Sequence, residues 1–455
     1  MSLNYIEKIF SEKKISNKTR ISNFVINSKE VKKGSVFFAV KGKKTDGHFY
    51  VKDAIKKGCS ICVVKKNFKS SSKYQKNLIK VSSPLKFLAK IAKENRNRSQ
   101  NIFIGITGSF GKTTLKSMLQ FFLEKYKKTY SSPKSFNNHF GLPLSLSNTP
   151  INSVFNIFEL GMSKKGEIDK LAQILRPDIG VITNIGPAHI GNFKNLKQIC
   201  LAKAELMKHI KDGGTIFLNH DDKFFKILEN IATKKKLKVI SFGKSSKSNI
   251  RLVKIIKQNN KKYLLIKIPQ KKIKIETLTL NDNFNKNFLI TIAILIHFKL
   301  DLKRIIKIAK NFPIPTGRGD FLYIKKKNKK IEILNDSYNA NPISMINSIK
   351  NFVALNTKKE KVVIIGDMLE LGSKSRFYHQ KVGNYLNNIK IKKVYLVGKE
   401  VEFIYTKLKS IKKCEIYKNI DQFKEVFQEI LNEKSIFLIK GSNGIGLNKL
   451  LNESF

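Results

Sequence analysis

The stretch IFIGITGSFGKTTLKSMLQFFL, Ile102 to Leu123, decides the fold. It opens as an apolar run of strand length, passes through the loop Thr107 to Thr114, and continues with helical periodicity. A strand that runs through a glycine loop into a helix is what a phosphate cradle requires. Gly108 and Gly111 let backbone N–H groups approach phosphate oxygens, Lys112 supplies charge, and Thr113 at the helix N-terminus is placed to ligate magnesium. Thr107, Ser109 and Thr114 complete the loop. The longer GxxxxGK[ST] form needs glycine at position 106, where this chain has Ile106, so the loop takes the shorter GxxGK[ST] form.

Beyond the loop the same rhythm repeats. VFNIFEL reaches Glu159 and IGVITN ends at Asn184, each an apolar run closing on a polar residue, with helical stretches between them. Strands alternating with helices predict a mostly parallel sheet, and ligands of such sheets bind at the carboxyl ends of the strands. Glu159 is therefore placed to hold magnesium beside a nucleotide, and His189, in TNIGPAHIG, is a second candidate at the same edge. Before the loop, Val36 to Val40 and Cys62 to Val64 read as strands and Val51 to Lys57 as a helix, a small α/β unit. Ser70 to Ser72, then Ser82, Ser83 and Pro84, mark a linker ahead of the helix pattern Leu85 to Glu94. Pro313 and Pro315 break the helix Leu302 to Lys310 and mark a second boundary. After it come strands at Ile331 to Leu334, Val362 to Ile365, Val394 to Val397 and Ile436 to Ile439. The expectation is an α/β chain of three units. These are a small N-terminal α/β domain over 1–84, a central P-loop ATPase domain with a mostly parallel sheet over 85–311, and a C-terminal Rossmann-like domain over 312–455.

Composition removes some function classes. Hydrophobic residues make up 41% of the 455, enough for several cores, so disorder is not the default reading. The net charge of +56 invites nucleic acid or an anionic membrane surface, yet the lysines are spread along the whole chain and accompany a general Ile and Asn bias without Trp. The charge permits anionic small substrates and does not diagnose a nucleic-acid binder. MSLNYIEKIFSEKK at the start lacks the apolar core of an export signal, and the longest apolar run, Phe288 to Phe298, is too short for a bilayer and reads as a buried helix. A cytoplasmic monomer is expected. Cys59 and Cys62 have CxxC spacing, but no second pair exists and their surroundings are apolar, so they read as core thiols.

The motifs together resemble the Mur ligase family. SVFFAVKGKKTDGHFYVKDAIKKG in the first unit is followed in the second by TGSFGKTT, SFNNHFGLPLSL, FELGMSKKGEI, PDIGVITNIGPAHIGNF and AKAEL. In the third come NDSYNANPISM, IGDMLELG with His379 downstream, and KGSNGIGL. The pairing of YNANP with GDMLELG is similar to the member that adds D-alanyl-D-alanine. The resemblance implies that ATP phosphorylates the terminal carboxylate of a UDP-N-acetylmuramoyl-tripeptide and that the dipeptide amine attacks the resulting acyl phosphate, with ATP and Mg2+ as cofactors. It implies Lys112, His189 and Lys203 as catalytic groups, with Thr113 and Glu159 on one magnesium ion and His189 on a second. Lys203 matches a lysine that is carbamylated in the family and so becomes an anionic metal ligand. Asn137 or Asn138 is expected beside ATP or metal, and spacing alone does not choose between them. Arg318 is expected at phosphate, and Asp336, Asn339 and Asn341 at the adenosine. Lys440 and Ser442 are expected near the dipeptide or acyl phosphate. Ser28, Lys29, Thr45, Asp46, Gly47 and His48 are expected at the uridine end.

Some positions depart from the family. Its usual DSR reads Asn27-Ser28-Lys29, exchanging a planar guanidinium for a point charge, its KGSR reads KGSN with Asn443, and a GxH element becomes Asn281 and Asn283. Two rival readings follow from the same residues: a ligase of this type with a different amine, and a P-loop ATPase stimulated by nucleic acid.

Overall fold

The computed structural model describes residues 21–42, 45–259, 261–279, 281–326, 329–409 and 413–453, so the N-terminal stretch read for an export signal lies outside the described residues. Three sheets follow one another along the chain. The first is a four-stranded parallel sheet, β1 (Asn23–Val25), β2 (Ser35–Phe38), β3 (Ile61–Lys65) and β4 (Leu78–Val81), in that spatial order. Cys59 and Cys62 are buried in its core as free thiols 3.7 Å apart, as the apolar surroundings predicted.

The central sheet has nine strands: β5 (Ile102–Thr107), β6 (Thr129–Ser131), β7 (Phe155–Glu159), β8 (Ile179–Ile182), β9 (Thr215–Asn219), β10 (Lys238–Gly243), β11 (Ile250–Gln258), β12 (Lys261–Ile268) and β13 (Lys271–Glu276). Their order is β13-β12-β11-β10-β9-β8-β5-β7-β6, parallel from β6 to β11 and antiparallel across β11, β12 and β13. β7 and β8 are buried at every position, which is why they read as mainly apolar runs, with buried Asn156 the polar exception before Glu159 in β7. One face is covered by the helices Lys112–Leu123 and Asp282–His297, whose Phe122 and Phe288 meet edge to face at 5.5 Å. The run Phe288 to Leu295 is buried throughout, so it is core, and no described helix is long and apolar enough to cross a membrane. The antiparallel extension was not anticipated. Its strands are lysine-rich, but Leu264, Ile266, Ile268, Ile273 and Ile275 point inward at alternate positions, with Lys267, Lys272 and Lys274 outward.

The third sheet orders β14 (Asp320–Lys326), β15 (Lys329–Asn335), β16 (Glu360–Gly366), β17 (Lys393–Val397), β18 (Cys414–Tyr417) and β19 (Ser435–Lys440) as β14-β15-β19-β16-β17-β18, parallel except for the β14–β15 hairpin. The helix Pro84–Arg98 joins the first two units. Its Leu88 and Ile91 pack on the first sheet, and buried Arg96 donates to the carbonyls of Leu175 (2.8 Å) and Arg176 (2.7 Å) and pairs with Asp178 at 3.1 Å. In the central sheet Ile106 is registered with Glu159 and Thr107 with Ile182, so the phosphate loop, the acidic strand end and the loop carrying His189 leave one edge side by side.

Candidate active site

At that edge lies a cavity of about 1260 Å3 whose walls come from all along the central unit and from the third. On the central side stand Ser109, Gly111, Lys112, Thr113 and Thr114 of the phosphate loop with Asn138, Glu159 and His189; opposite are Arg318, Asp336, Asn339, Asn341 and Lys440. The sequence-predicted groups of the second and third units are thus largely brought together.

The loop conformation depends on its glycines. Gly108 has φ 149 and Gly111 φ 82. A Cβ on Gly108 would lie 1.9 Å from Thr183 Oγ1. The loop is pinned from behind by the end of β8. Thr183 Oγ1 donates to the Phe110 carbonyl at 2.8 Å, Phe110 N donates to Asn184 Oδ1 at 3.1 Å, and Ser109 Oγ donates to the Gly186 carbonyl at 2.9 Å. Ser109 therefore ties two loops together, and Thr107 is fully buried at the strand end, off the cavity wall. Asn287, buried in the first half of the helix Asp282–His297, donates to the Gly111 carbonyl at 3.0 Å; its place in the polar run DNFNKN gives no local sign of that contact.

Glu159 is the electrostatic centre. It is 2% exposed, accepts from Thr113 Oγ1 at 2.9 Å and accepts from Asn137 Nδ2 at 2.8 Å. Burial alone would push its pKa up, but Lys112, the Asn137 hydrogen bond, Lys116 and Arg318 together hold it below the usual carboxylate range. Burial in turn lowers the pKa of Lys112, against the opposing pull of Glu159, and Lys112 folds back to donate to the Gly108 carbonyl at 2.9 Å. Arg318 reaches from the third unit, donating through Nη2 to Thr113 Oγ1 at 2.9 Å, with its guanidinium 3.9 Å over the Tyr338 ring and its Nε buried without a partner. The two asparagines divide: Asn137 reaches Glu159, while Asn138 Oδ1 accepts from the N–H groups of Phe140 and Gly141.

His189 sits in left-handed backbone, φ 58, with Nδ1 2.6 Å from Glu370 Oε2 of the GDMLELG segment. Beside it, Gly191 N donates to the Glu370 carbonyl at 3.1 Å, and Gly191 and Gly372 are packed too closely for a Cβ on either. Lys203 is 3% exposed and off the wall; burial and the nearby charge of Lys112 lower its pKa well below that of a surface lysine, favouring the free amine. Its neighbour Glu205 accepts from the N–H groups of Gly166 and Asp169, capping the helix Glu167–Leu175. In the third unit Lys440, 1% exposed, donates to Asp336 Oδ2 at 2.8 Å and to the Asn339 carbonyl at 3.1 Å. Asn341 caps the helix Pro342–Val353, its Oδ1 accepting from Ser344 N, and Ser442 Oγ accepts from Leu369 N.

The residues expected at the uridine end form a separate group, off the cavity wall. Asp46 Oδ1 accepts from His48 N at 3.0 Å and stands 2.6 Å from His48 Nδ1, and His48 Nε2 accepts from Lys65 N at 3.0 Å. Both ring nitrogens are thereby engaged within the fold. Thr45 Oγ1 donates to the Tyr50 hydroxyl at 3.1 Å, Gly47 packs against the Val40 backbone, and Lys29 N donates to Asn27 Oδ1 at 3.0 Å, while the Ser28 carbonyl accepts from Lys57 Nζ at 3.2 Å.

The donor set suits a hard cation. Thr113 and Glu159 offer a hydroxyl and a carboxylate, and magnesium commonly takes one or two such protein ligands and completes its shell with water and phosphate oxygens. Among the described residues no three His, Cys, Asp or Glu side chains gather as a metal site by themselves.

Comparison with known proteins covers all three units. Residues 20–96 match the Mur ligase family catalytic domain, 106–295 the Mur ligase middle domain and 321–443 the Mur ligase glutamate ligase domain. The UDP-N-acetylmuramoyl-tripeptide–D-alanyl-D-alanine ligase of Rickettsia prowazekii is 32% identical over 96% of each chain, and that of Bacillus subtilis 27% over 96% of this chain and 93% of the relative. Among solved structures, MurF from Acinetobacter baumannii has the same fold, with a TM-score of 0.84 at 24% identity over 97% of this chain and 95% of that one. The MurF ligase of Thermotoga maritima in complex with ADP gives 0.79 at 26% over 95% and 96%. With three Mur ligase domains matched in order along one chain and a 32% identical relative over nearly its whole length, this protein belongs to the Mur ligase family.

Proposed function

We propose that this protein joins D-alanyl-D-alanine to the terminal carboxylate of UDP-N-acetylmuramoyl-tripeptide at the expense of ATP, giving the pentapeptide precursor of peptidoglycan, ADP and phosphate. The observation that carries the reading is the Arg318–Thr113–Glu159–Asn137 chain of hydrogen bonds, which joins the third unit to the phosphate loop across the cavity. The similarity to ligases of that name supports the choice of substrates.

In the first step a substrate carboxylate oxygen attacks the γ-phosphorus, the bond to the bridging oxygen breaks, and ADP leaves. Backbone N–H groups of the loop hold the phosphates, and Lys112 and Arg318 offset charge on the transferring group. Magnesium, held by Thr113 and Glu159 with a second ion at His189 and a carbamylated Lys203, would supply further neutralisation of the phosphates. In the second step the dipeptide amine adds to the acyl carbon, loses a proton, and the intermediate collapses to the amide with release of phosphate. Asp336, Asn339 and Asn341 line the adenosine side, with Asn138 beside the nucleotide. Ser28, Lys29, Thr45, Asp46, Gly47 and His48 shape the uridine end of a substrate long enough to bridge two units. The domain limits 1–84, 85–311 and 312–455 assign one part of the substrate set to each unit. We place the reaction in the cytoplasm, where ATP and nucleotide-linked sugars are available. Phosphate release that requires the tripeptide and the dipeptide together supports this reading, and release with a single free amino acid in place of the dipeptide rejects it.

A further inference from the structure

The loop from Ser132 to Phe140 supplies Ser135, Asn137, Asn138, His139 and Phe140 to the cavity wall without forming helix or strand. It is held by Lys116, on the second turn of the helix Lys112–Leu123. This lysine is only 3% exposed. Its ammonium donates to the Ser132 carbonyl at 2.5 Å, to the Lys134 carbonyl, and lies 3.5 Å from Ser132 Oγ. A buried ammonium is costly unless its donors are matched, and here the partners come from one loop, whose Lys134 is in left-handed backbone at φ 49. Three residues on, Asn137 donates to Glu159 and its carbonyl accepts from Gly161 N at 2.7 Å, while Ser135 Oγ lies 2.6 Å from the Tyr338 hydroxyl of the third unit.

We propose that Lys116 is a positioning residue: by gripping the Ser132 and Lys134 carbonyls it fixes the loop so that Asn137 orients the Glu159 carboxylate toward a bound cation and Ser135 meets Tyr338. The inference rests on the nucleotide–magnesium reading of the cavity and is independent of which amine is ligated, so it is tested by binding. Removing an outer partner of a metal-holding group commonly weakens the metal by about 10–100-fold.

Lys116→Met keeps most of the length of the side chain and removes its donors. The magnesium concentration that half-maximally tightens ADP binding is measured by calorimetric titration in the native protein, Lys116→Met, Asn137→Ala and the double variant, beside amide hydrogen exchange over 132–139. Each single variant is expected to need about tenfold more magnesium, the loop to exchange faster in Lys116→Met, and the double variant to be no more than about twofold worse than Asn137→Ala alone. Lys116→Gln, which retains a donor, is expected to recover part of the loss and carries the same cycle if Lys116→Met does not fold. Lower melting with an unchanged magnesium midpoint, or penalties that multiply in the double variant, would overturn the proposal and leave Lys116 a fold-stabilising lysine only.

Discussion

Replacing Glu159 by Gln keeps the shape of the side chain and removes its charge. Its two oxygens accept from Thr113 at 2.9 Å and Asn137 at 2.8 Å. Gln retains one acceptor, so at most one hydrogen bond is lost, about 1 kcal/mol. The larger effect is the charge left among Lys112, Lys116 and Arg318, whose attraction holds the carboxylate ionised. Deleting one partner of a buried charge cluster costs about 3–5 kcal/mol, and the low end, about 3 kcal/mol, applies because Lys112 and Arg318 keep partial contact with solvent. That penalty falls on the nucleotide-free protein, and a polyphosphate supplies the missing negative charge. Recovery of about half of it tightens metal-free ADP about tenfold, since 1.4 kcal/mol is roughly one decade in affinity. Magnesium should then tighten ADP far less than in the native protein, because the carboxylate that holds one ion is gone. Calorimetric titration of ADP into native and Glu159→Gln protein, with chelator and with saturating magnesium, reads all four states. Equal tightening by magnesium in the two proteins would refute the assignment of Glu159 to the metal.

Other outcomes follow from the same geometry. Gly108→Ala puts a methyl group onto Thr183 Oγ1 and breaks its bond to the Phe110 carbonyl; overpacking and the lost bond together cost about 2–4 kcal/mol, and a raised KM for ATP with a nearly unchanged KM for the tripeptide is the expected signature. Lys203→Ala should abolish ligation, with partial rescue by short carboxylates, and full activity in that variant would rule out a catalytic carbamate. His379 is fully buried, with Nε2 accepting from Met368 N; burial lowers its pKa, so below about pH 6.5 the unfolded chain takes up a proton that the fold refuses. Stability falls there as pH falls, by at most about 1.4 kcal/mol per pH unit, and urea midpoints between about pH 5.5 and 7.5 should show a flatter dependence in His379→Gln. Burial raises the pKa of Asp367, which acts in the opposite sense at and above about pH 4 and so does not mimic the histidine. Finally, ATP turnover should be indifferent to DNA or RNA, and any polyanion binding should weaken steeply with salt.

The central sheet was legible because β5, β7 and β8 are covered on both faces and appear as short, mainly apolar runs that lead into polar residues. The phosphate loop and Glu159 were legible for the same reason, since their place at the strand ends is local to the chain. Lys203 was not readable from its surroundings, being one lysine among many; only the family motif singled it out. What escaped were pairings made across the fold. Nothing near Asn137 or Asn138 reveals which meets Glu159, because the choice depends on a loop gripped by Lys116. Glu370 beside His189 and Tyr338 beside Ser135 join segments more than a hundred residues apart, and β11 to β13 hide their apolar alternation under exposed lysines. His48 shows the converse: its motif was visible, but its ring is engaged by Asp46 and the Lys65 amide.

The most direct test is the mass of the product formed when the protein is given ATP, a defined UDP-N-acetylmuramoyl-tripeptide and an equimolar mixture of D-alanyl-D-alanine with single amino acids. The account predicts one product, the tripeptide extended by the whole dipeptide with loss of one water, formed in step with one ADP and one phosphate. A product carrying a single amino acid, or ATP hydrolysis with the tripeptide unchanged, would contradict it.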